Sequence, residues 1–202
     1  TTASLLMRFC DAAAGHIYMD SKDYHSMKPE ELRKHIAMVP QQVNLFSGTI
    51  RENLLLADPD ADDQTLMEAV KEAGLLKFVQ SLEKGLNSDV GNAGASLSGG
   101  QRQKIGIARA LLSKAEYMIF DEATSSVDPE SEKEIWETIG HLAHTRTLII
   151  ISHRMSSVRG ADCIYVLKDG RVAQQGDHET LMAQDGLYHE LVIRQQAMEV
   201  AE

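Results

Sequence analysis

Apolar and polar residues alternate along this chain with two periods, and the change from one to the other predicts a mixed α/β fold. Residues 1–9 carry Leu5, Leu6 and Phe9 on a helical spacing that Gly15 interrupts. A short strand is expected at 16–19. A helix is expected over 29–35, with Pro29 in its first turn, followed by a buried strand over 36–39 that stops at Pro40. From about 49 to 112 the pattern is mostly helical. There, Asp62 and Asp63 precede an apolar stripe of Leu66, Val70 and Ala73 that ends at Gly74, and a glycine-rich loop leads into a helix over 101–112. The last third alternates strands (117–120 and 147–152) with helices (129–142, capped by Asp128, then 178–184 and 187–195). It also predicts a hairpin of 163–167 and 171–175 turning at Asp169-Gly170. Strands separated by helices imply a parallel sheet. The expected layout is an α/β core formed by 1–48 and 113–202, into which a helical lobe, 49–112, is inserted.

Composition narrows the classes. The chain has 202 residues, 43% of them hydrophobic and 25% charged, enough to bury a core as one full domain or two small ones. Its net charge of −10 argues against a nucleic-acid partner, because an acidic surface repels phosphodiester backbones. Cys10 and Cys163 fit no metal or redox spacing and read as reduced thiols. The most apolar run, Leu148-Ile149-Ile150-Ile151, is strand-sized, well below the roughly 18–20 residues of a membrane span. No basic leader is visible. The chain opens Thr1-Thr2-Ala3 without Met, inside a helical pattern, which implies a processed start or a piece of something longer.

The candidate chemistry clusters at strand ends and at one helix start. In Leu97-Ser98-Gly99-Gly100-Gln101, two glycines admit close backbone approach and the following helix offers free N–H groups, an anion site suited to phosphate. Read alone, it is equally an ordinary helix start. Tyr117-Met118-Ile119-Phe120-Asp121-Glu122 is a buried strand ending in two carboxylates, where open α/β sheets bind ligands. Adjacent strand residues point to opposite sides, so one carboxylate can hold Mg²⁺ while its neighbour reaches another target, such as an attacking water. Two helix-capping acids would give the same local pattern. His153 follows the strand over 147–152 and can reach the same phosphate or be structural. The other seven histidines, His16, His25, His35, His141, His144, His178 and His189, have no such placement. His141 and His144 stand three apart but lack nearby Cys or carboxylate ligands. Gln41 offers an amide that can ligate a hard cation or orient a water, and Asp128 reads as a helix cap.

Taken together, in this order and spacing, these features resemble the ATPase domain of ATP-binding cassette (ABC) proteins, and its exporter branch in particular. Leu97–Gln101 is similar to the signature motif LSGGQ, Met118–Asp121 to the end of Walker B, and Glu122 to the catalytic glutamate. Ser125-Ser126-Val127-Asp128 looks like the D-loop, His153 like the switch histidine, and Gln41 like the Q-loop glutamine. Leu45–Asn53 and the pair Asp169-Gly170-Arg171 and Gln175-Gly176-Asp177-His178 are exporter-like. The resemblance implies a P-loop NTPase-like (RecA-like) fold, ATP and Mg²⁺ as cofactors, and Glu122 and His153 as catalytic residues. It further implies that Thr1, Thr2, Gln41, Ser98, Gly99, Gly100, Gln101, Asp121 and Asp128 contact the nucleotide, and that Thr1, Gln41 and Asp121 serve the metal. The implied partners are a second ABC ATPase domain in a head-to-tail dimer and a transmembrane domain fused upstream, which places the chain at the cytoplasmic face of a membrane.

Two departures stand out. Val90-Gly91-Asn92-Ala93-Gly94 lacks the charged pair that exporters usually carry there, and the phosphate loop that precedes the first helix in the family is absent. By resemblance the chain starts at the end of Walker A and, by itself, would bind and hydrolyse little ATP. A non-transport ABC ATPase of DNA repair or translation, or an inactive fragment, are the competing readings.

Overall fold

Three stretches of alternating apolar residues form a parallel sheet whose two faces separate two hydrophobic layers. The computed structural model describes residues 2–125 and 127–201, the side chains of 199–201 aside. By packing it divides into two compact units, one running to Ile151 and the other starting at Ser152. The layout inferred above divides the chain by element content, whereas this division follows contacts.

The first unit begins with α1 (Thr2–Leu6), β1 (Tyr18–Met19), β2 (Lys22–Asp23), α2 (Pro29–His35) and β3 (Ile36–Val39). It continues with α3 (Ile50–Leu55), α4 (Asp63–Glu72), α5 (Leu76–Ser81), α6 (Gly99–Leu112), β4 (Tyr117–Asp121), α7 (Pro129–Leu142) and β5 (Thr147–Ile151). Strand order is β3-β4-β5, all parallel, with Ile36 opposite Tyr117 and Tyr117 opposite Thr147. Side chains alternate across a strand. Ile36, Met38, Tyr117, Ile119, Ile149 and Ile151 therefore meet α1 and the buried Met19, Tyr24, Met27 and Leu32. Ala37, Val39, Met118, Phe120, Leu148 and Ile150 join the larger cluster made with the helices of 50–142. The helical segment thus shares one core with the sheet.

Local sequence explains most boundaries. Asp62 caps α4 by accepting from the Thr65 N–H at 2.8 Å, and the expected stripe of Leu66, Val70 and Ala73 is buried. Asp128 caps α7 through the Ser131 N–H at 2.9 Å. Several boundaries differ from expectation, among them the last helix, which runs on to Ala201, and the first strand, which holds only Tyr18 and Met19; two have a visible local cause. The first helix stops at Leu6, because Arg8 takes a left-handed φ of 49°. The Arg8 N–H then bonds the Leu5 carbonyl at 3.0 Å and the Phe9 N–H bonds the Ser4 carbonyl at 2.8 Å, the paired bonds of a Schellman stop. This turn lets the Arg8 guanidinium donate to the carbonyls of Tyr24 (2.7 Å) and Met27 (2.6 Å), and it leaves Phe9 61% exposed beneath the Arg33 guanidinium. The second is the start of α6, which lies at Gly99 rather than Gln101, so the glycines are helical.

The second unit holds α8 (Met155–Val158), β6 (Ile164–Lys168), β7 (Arg171–Gly176), α9 (His178–Ala183) and α10 (Leu187–Ala201). β6 and β7 form the expected antiparallel hairpin, with Asp169 and Gly170 both at positive φ, as a two-residue turn requires. Ile164, Val166, Leu181, Tyr188 and Val192 make its core, and the buried Tyr188 hydroxyl pairs with His178 Nδ1 at 2.9 Å.

Candidate functional site

The C-terminal edge of the parallel sheet gathers the acidic and amide candidates. Asp121 is the last residue of β4, paired with Ile151 on β5. By strand alternation it lies on the face of Tyr117 and Ile119, the side packed by α1. Glu122 follows with φ +50°, a left-handed backbone that is uncommon outside glycine. Its N–H continues the ladder to the Ile151 carbonyl at 2.9 Å, and its carbonyl accepts from the Ser125 N–H at 3.1 Å. The turn therefore fixes the Glu122 main chain from both sides. Gln41, exposed, stands two residues beyond the end of β3. Asp121, Glu122 and Gln41 thus share one edge.

The signature-like segment is built differently. Ser98 Oγ accepts from the Gln101 N–H at 3.2 Å, while Gln101 Oε1 accepts from the Ser98 N–H at 2.9 Å, a reciprocal capping box. Gly99 and Gly100 follow in the first turn, whose N–H groups an α-helix leaves without intrahelical acceptors, at the positive end of the dipole. Gly100 is buried, and a Cβ there would lie 2.5 Å from Ser131 Cβ on α7. Only glycine allows the helix start to sit so close to α7. Ser98, Gly100 and Gln101 line a cavity of ≈ 590 Å³ together with Lys104, Ser131 and Glu134.

Polar anchors tie this helix to both neighbouring segments. Gln103, itself buried, donates Nε2 to the Pro40 carbonyl at 3.0 Å, immediately before Gln41. A Cβ on Gly106 would lie 2.6 Å from Val43 Cγ2, so α6 rests directly on the segment after Pro40. Arg109 donates to the Asn44 carbonyl (2.8 Å), the Asn53 carbonyl (2.7 Å) and Asn53 Oδ1 (2.6 Å), and burial pulls its pKa below the usual value. Asn53 in turn donates to the carbonyls of Phe46 and Thr49, both at 2.9 Å. On the other side Lys104 pairs with Glu134 of α7, and Glu132 accepts from the Thr124 hydroxyl at 3.0 Å. The segment after Gln41, α6, α7 and the loop after Glu122 therefore form one connected frame. Sequence reasoning missed these anchors. The available signal was a polar residue at an apolar-spaced position, as with Asn53 three residues after Ile50.

The remaining candidates are placed less fully. Asp128, exposed, caps α7, and the Ser131 backbone N–H holds its carboxyl below the usual range. Thr2 is the exposed first residue of α1, and Thr1 lies outside the described residues, as does Ser126. His153 is exposed, follows β5 by two positions, and is part of the second unit. Ser125, between Glu122 and Asp128, has a buried hydroxyl without a hydrogen-bond partner among the described residues. Gly91 and Gly94 flank Ala93 at positive φ (75°, 80° and 52°), and Asn92 Oδ1 accepts from the Ser47 hydroxyl at 3.4 Å.

A parallel sheet with carboxylates at its C-terminal edge, faced by helices on both sides, is an α/β architecture, and the family and structural matches make it one of the P-loop NTPase class. Within that class the chain belongs to the ABC transporter family, whose model matches residues 1–125. It is 42% identical over 191 residues to the ATP-dependent lipid A-core flippase 1 of Colwellia psychrerythraea, a match covering 95% of this chain and 32% of that protein. It is 43% identical over 196 residues to the Homo sapiens mitochondrial potassium channel ATP-binding subunit, covering 96% of this chain and 27% of that one. The solved structure of a bacterial Atm1-family ABC exporter with ATP bound superposes with a TM-score of 0.90 at 38% identity, covering 96% of this chain and 34% of the other. The chain spans about a third or less of the length of these relatives. No helix among the described residues is long and apolar enough to cross a membrane.

Proposed function

We propose that this chain is the ATP-hydrolysing motor of an ABC exporter, coupling ATP-driven pairing of two such domains to movement of a substrate across a membrane. The observation that carries the reading is the turn at Glu122, which sets a carboxylate beside Asp121 at the sheet edge through a left-handed backbone bonded to β5. In this reading Glu122 orients the attacking water and draws its proton. His153 steadies charge on the γ-phosphate, and Asp121, Gln41 and Thr1 supply oxygen donors for Mg²⁺. The ion neutralises phosphate charge when bound. Asp121 and Gln41 fit it, being hard oxygen donors at one edge, and the Ser125 hydroxyl, orphaned among the described residues, fits a site completed by a polar ligand.

Ser98–Gln101 would meet the γ-phosphate of a nucleotide held by the partner domain in a head-to-tail dimer, through the N–H groups of Gly99 and Gly100. Asp128 and Thr2 complete the contacts. Catalysis would be mostly positioning and electrostatics. The segment 49–112 serves as the lobe that moves with the Gln41 loop, because Gln103 fastens the two together. A transmembrane domain fused upstream receives that movement, so the motor works at the cytoplasmic face with no nucleic acid involved. Its contact beside Asn92 and Ala93 uses uncharged groups.

The test is Glu122→Gln in the complete transporter. Turnover is expected to fall by about 10²–10⁴-fold, the usual worth of a positioned general base, while ATP binding persists and the ATP-bound dimer accumulates. Turnover at the wild-type rate overturns the reading.

A further inference from the structure

His16, Asp23 and His25 come together on the hairpin beside α1. His16 Nδ1 lies 2.7 Å from Asp23 Oδ2, and His25 Nδ1 lies 3.1 Å from Asp23 Oδ1. The ligand atoms of the three side chains are all within 4.8 Å of one another. The two rings are 6.1 Å apart and nearly perpendicular, at 75°, so they approach the carboxylate from different directions instead of stacking.

The frame under these side chains is fixed. Tyr18 pairs with Asp23 and Met19 with Lys22, and the Tyr24 N–H bonds the Ile17 carbonyl at 2.9 Å, which closes the chain between the two histidines. The Ser26 hydroxyl donates to the Asp23 carbonyl at 2.6 Å, Arg8 grips the carbonyls of Tyr24 and Met27, and Met19, Tyr24 and Met27 are buried below. Asp23 is also held by its neighbour, since the His25 backbone N–H donates to Oδ1 at 2.9 Å. That bond orients the carboxylate and leaves Oδ2 turned to His16, as an outer hydrogen bond does for a metal-binding carboxylate.

We propose that His16, Asp23 and His25 form a binding site for a late first-row divalent cation, Zn²⁺ above all. Two imidazoles and one carboxylate are the donor set such ions take, with water filling the fourth position, whereas Mg²⁺ and Ca²⁺ prefer oxygen alone. Neighbouring ligands on a tetrahedral Zn²⁺ stand about 3.4 Å apart, from bonds near 2.1 Å. Small side-chain rotations reach that spacing, with the ion replacing the ring N–H···O bonds. All three ligands fall within one ten-residue stretch, so a bound ion would staple the hairpin.

The test is calorimetric titration of the full chain with Zn²⁺ alone, and with Co²⁺ for its visible spectrum. The expected result is one site per chain with a tetrahedral Co²⁺ spectrum. Affinity should fall at least about tenfold in His16→Ala and in His25→Ala and vanish in the double variant. His189→Ala removes a histidine that pairs with Asp185, outside the proposed site, and should change nothing. Asp23→Asn keeps the cap on the His25 N–H and removes the charge, so it should fold normally yet bind at least about tenfold more weakly. Thermal melts in chelator check that each variant is folded, and Zn²⁺ should raise the melting temperature of the wild type and of His189→Ala but not of the His16→Ala, His25→Ala double variant. Absence of Zn²⁺ binding, or affinity unchanged in the double variant or in Asp23→Asn, overturns the proposal.

Discussion

The start of α6 and the end of β4 carry their chemistry in opposite ways. At α6 the groups proposed to meet phosphate are backbone N–H donors, fixed by a capping box and a buried glycine, and the side chains of Ser98 and Gln101 satisfy each other. At β4 the proposed groups are the side chains of Asp121 and Glu122, positioned by sheet register and by a left-handed turn. A backbone site tolerates loss of a cap but not added bulk, while a side-chain site tolerates bulk nearby but not loss of its charged group. Substitutions at the two places should therefore separate stability from activity.

The largest effect should come at β4. Asp121→Asn in the complete transporter is expected to lower ATP turnover by about 10²–10³-fold, the typical worth of one preorganised electrostatic group, while the melting temperature barely changes. Next comes the frame behind α6. Arg109→Ala strips three hydrogen bonds and leaves the buried Asn53 Oδ1 without this donor, so urea unfolding should show a loss of about 3 kcal/mol.

Gly100→Ala tests the close approach itself. A Cβ 2.5 Å from Ser131 Cβ should cost about 2 kcal/mol by overpacking, and turnover should fall with it. Adding Ser131→Gly should return part of that stability, a non-additivity read by a double-mutant cycle. Ser98→Ala is smaller still, at about 1 kcal/mol from the lost cap. If Asp121→Asn unfolds the protein, or Gly100→Ala leaves stability and turnover intact, the contrast between the two sites fails.

The smallest effect is electrostatic. The Ser131 backbone N–H holds the Asp128 carboxyl below its ordinary value, and the Thr49 backbone N–H does the same for Glu52. A lowered folded-state pKa gives stability that is complete above the unfolded value, about 4, and lost as pH falls through the folded one. Acid titration of the melting temperature should show that decline, and Asp128→Asn should make it shallower.

How much of this was legible depended on range. Asp62, Asp128 and the Asp169-Gly170 turn act on backbone groups a few residues away, and their effects followed from spacing alone. The strand ending at Asp121 was legible too, because four apolar residues ahead of two acids have few other arrangements. The stop of α1 was not. Leu5, Leu6 and Phe9 have helical spacing, but carbonyls at Tyr24 and Met27 draw Arg8 into a turn that excludes Phe9. The start of α6 at Gly99 was obscured because glycine alone argues for a loop, and only the capping box overrides it.

By itself, then, the sequence determined what near neighbours decide: strands, caps, turns, and a motif order that resembles one ATPase family. These depend on the few residues on either side. The tertiary structure decided what distant residues decide. It placed Gln41, Asp121 and Glu122 at one sheet edge through strand register, and it locked α6 to Pro40, Asn44 and Asn53 through Gln103 and Arg109. It also folded His16 onto Asp23 and His25, three residues with no evident joint meaning in the linear order. The physical reason is that a buried donor must find its acceptor wherever the fold brings one within reach, and sequence spacing does not encode that distance.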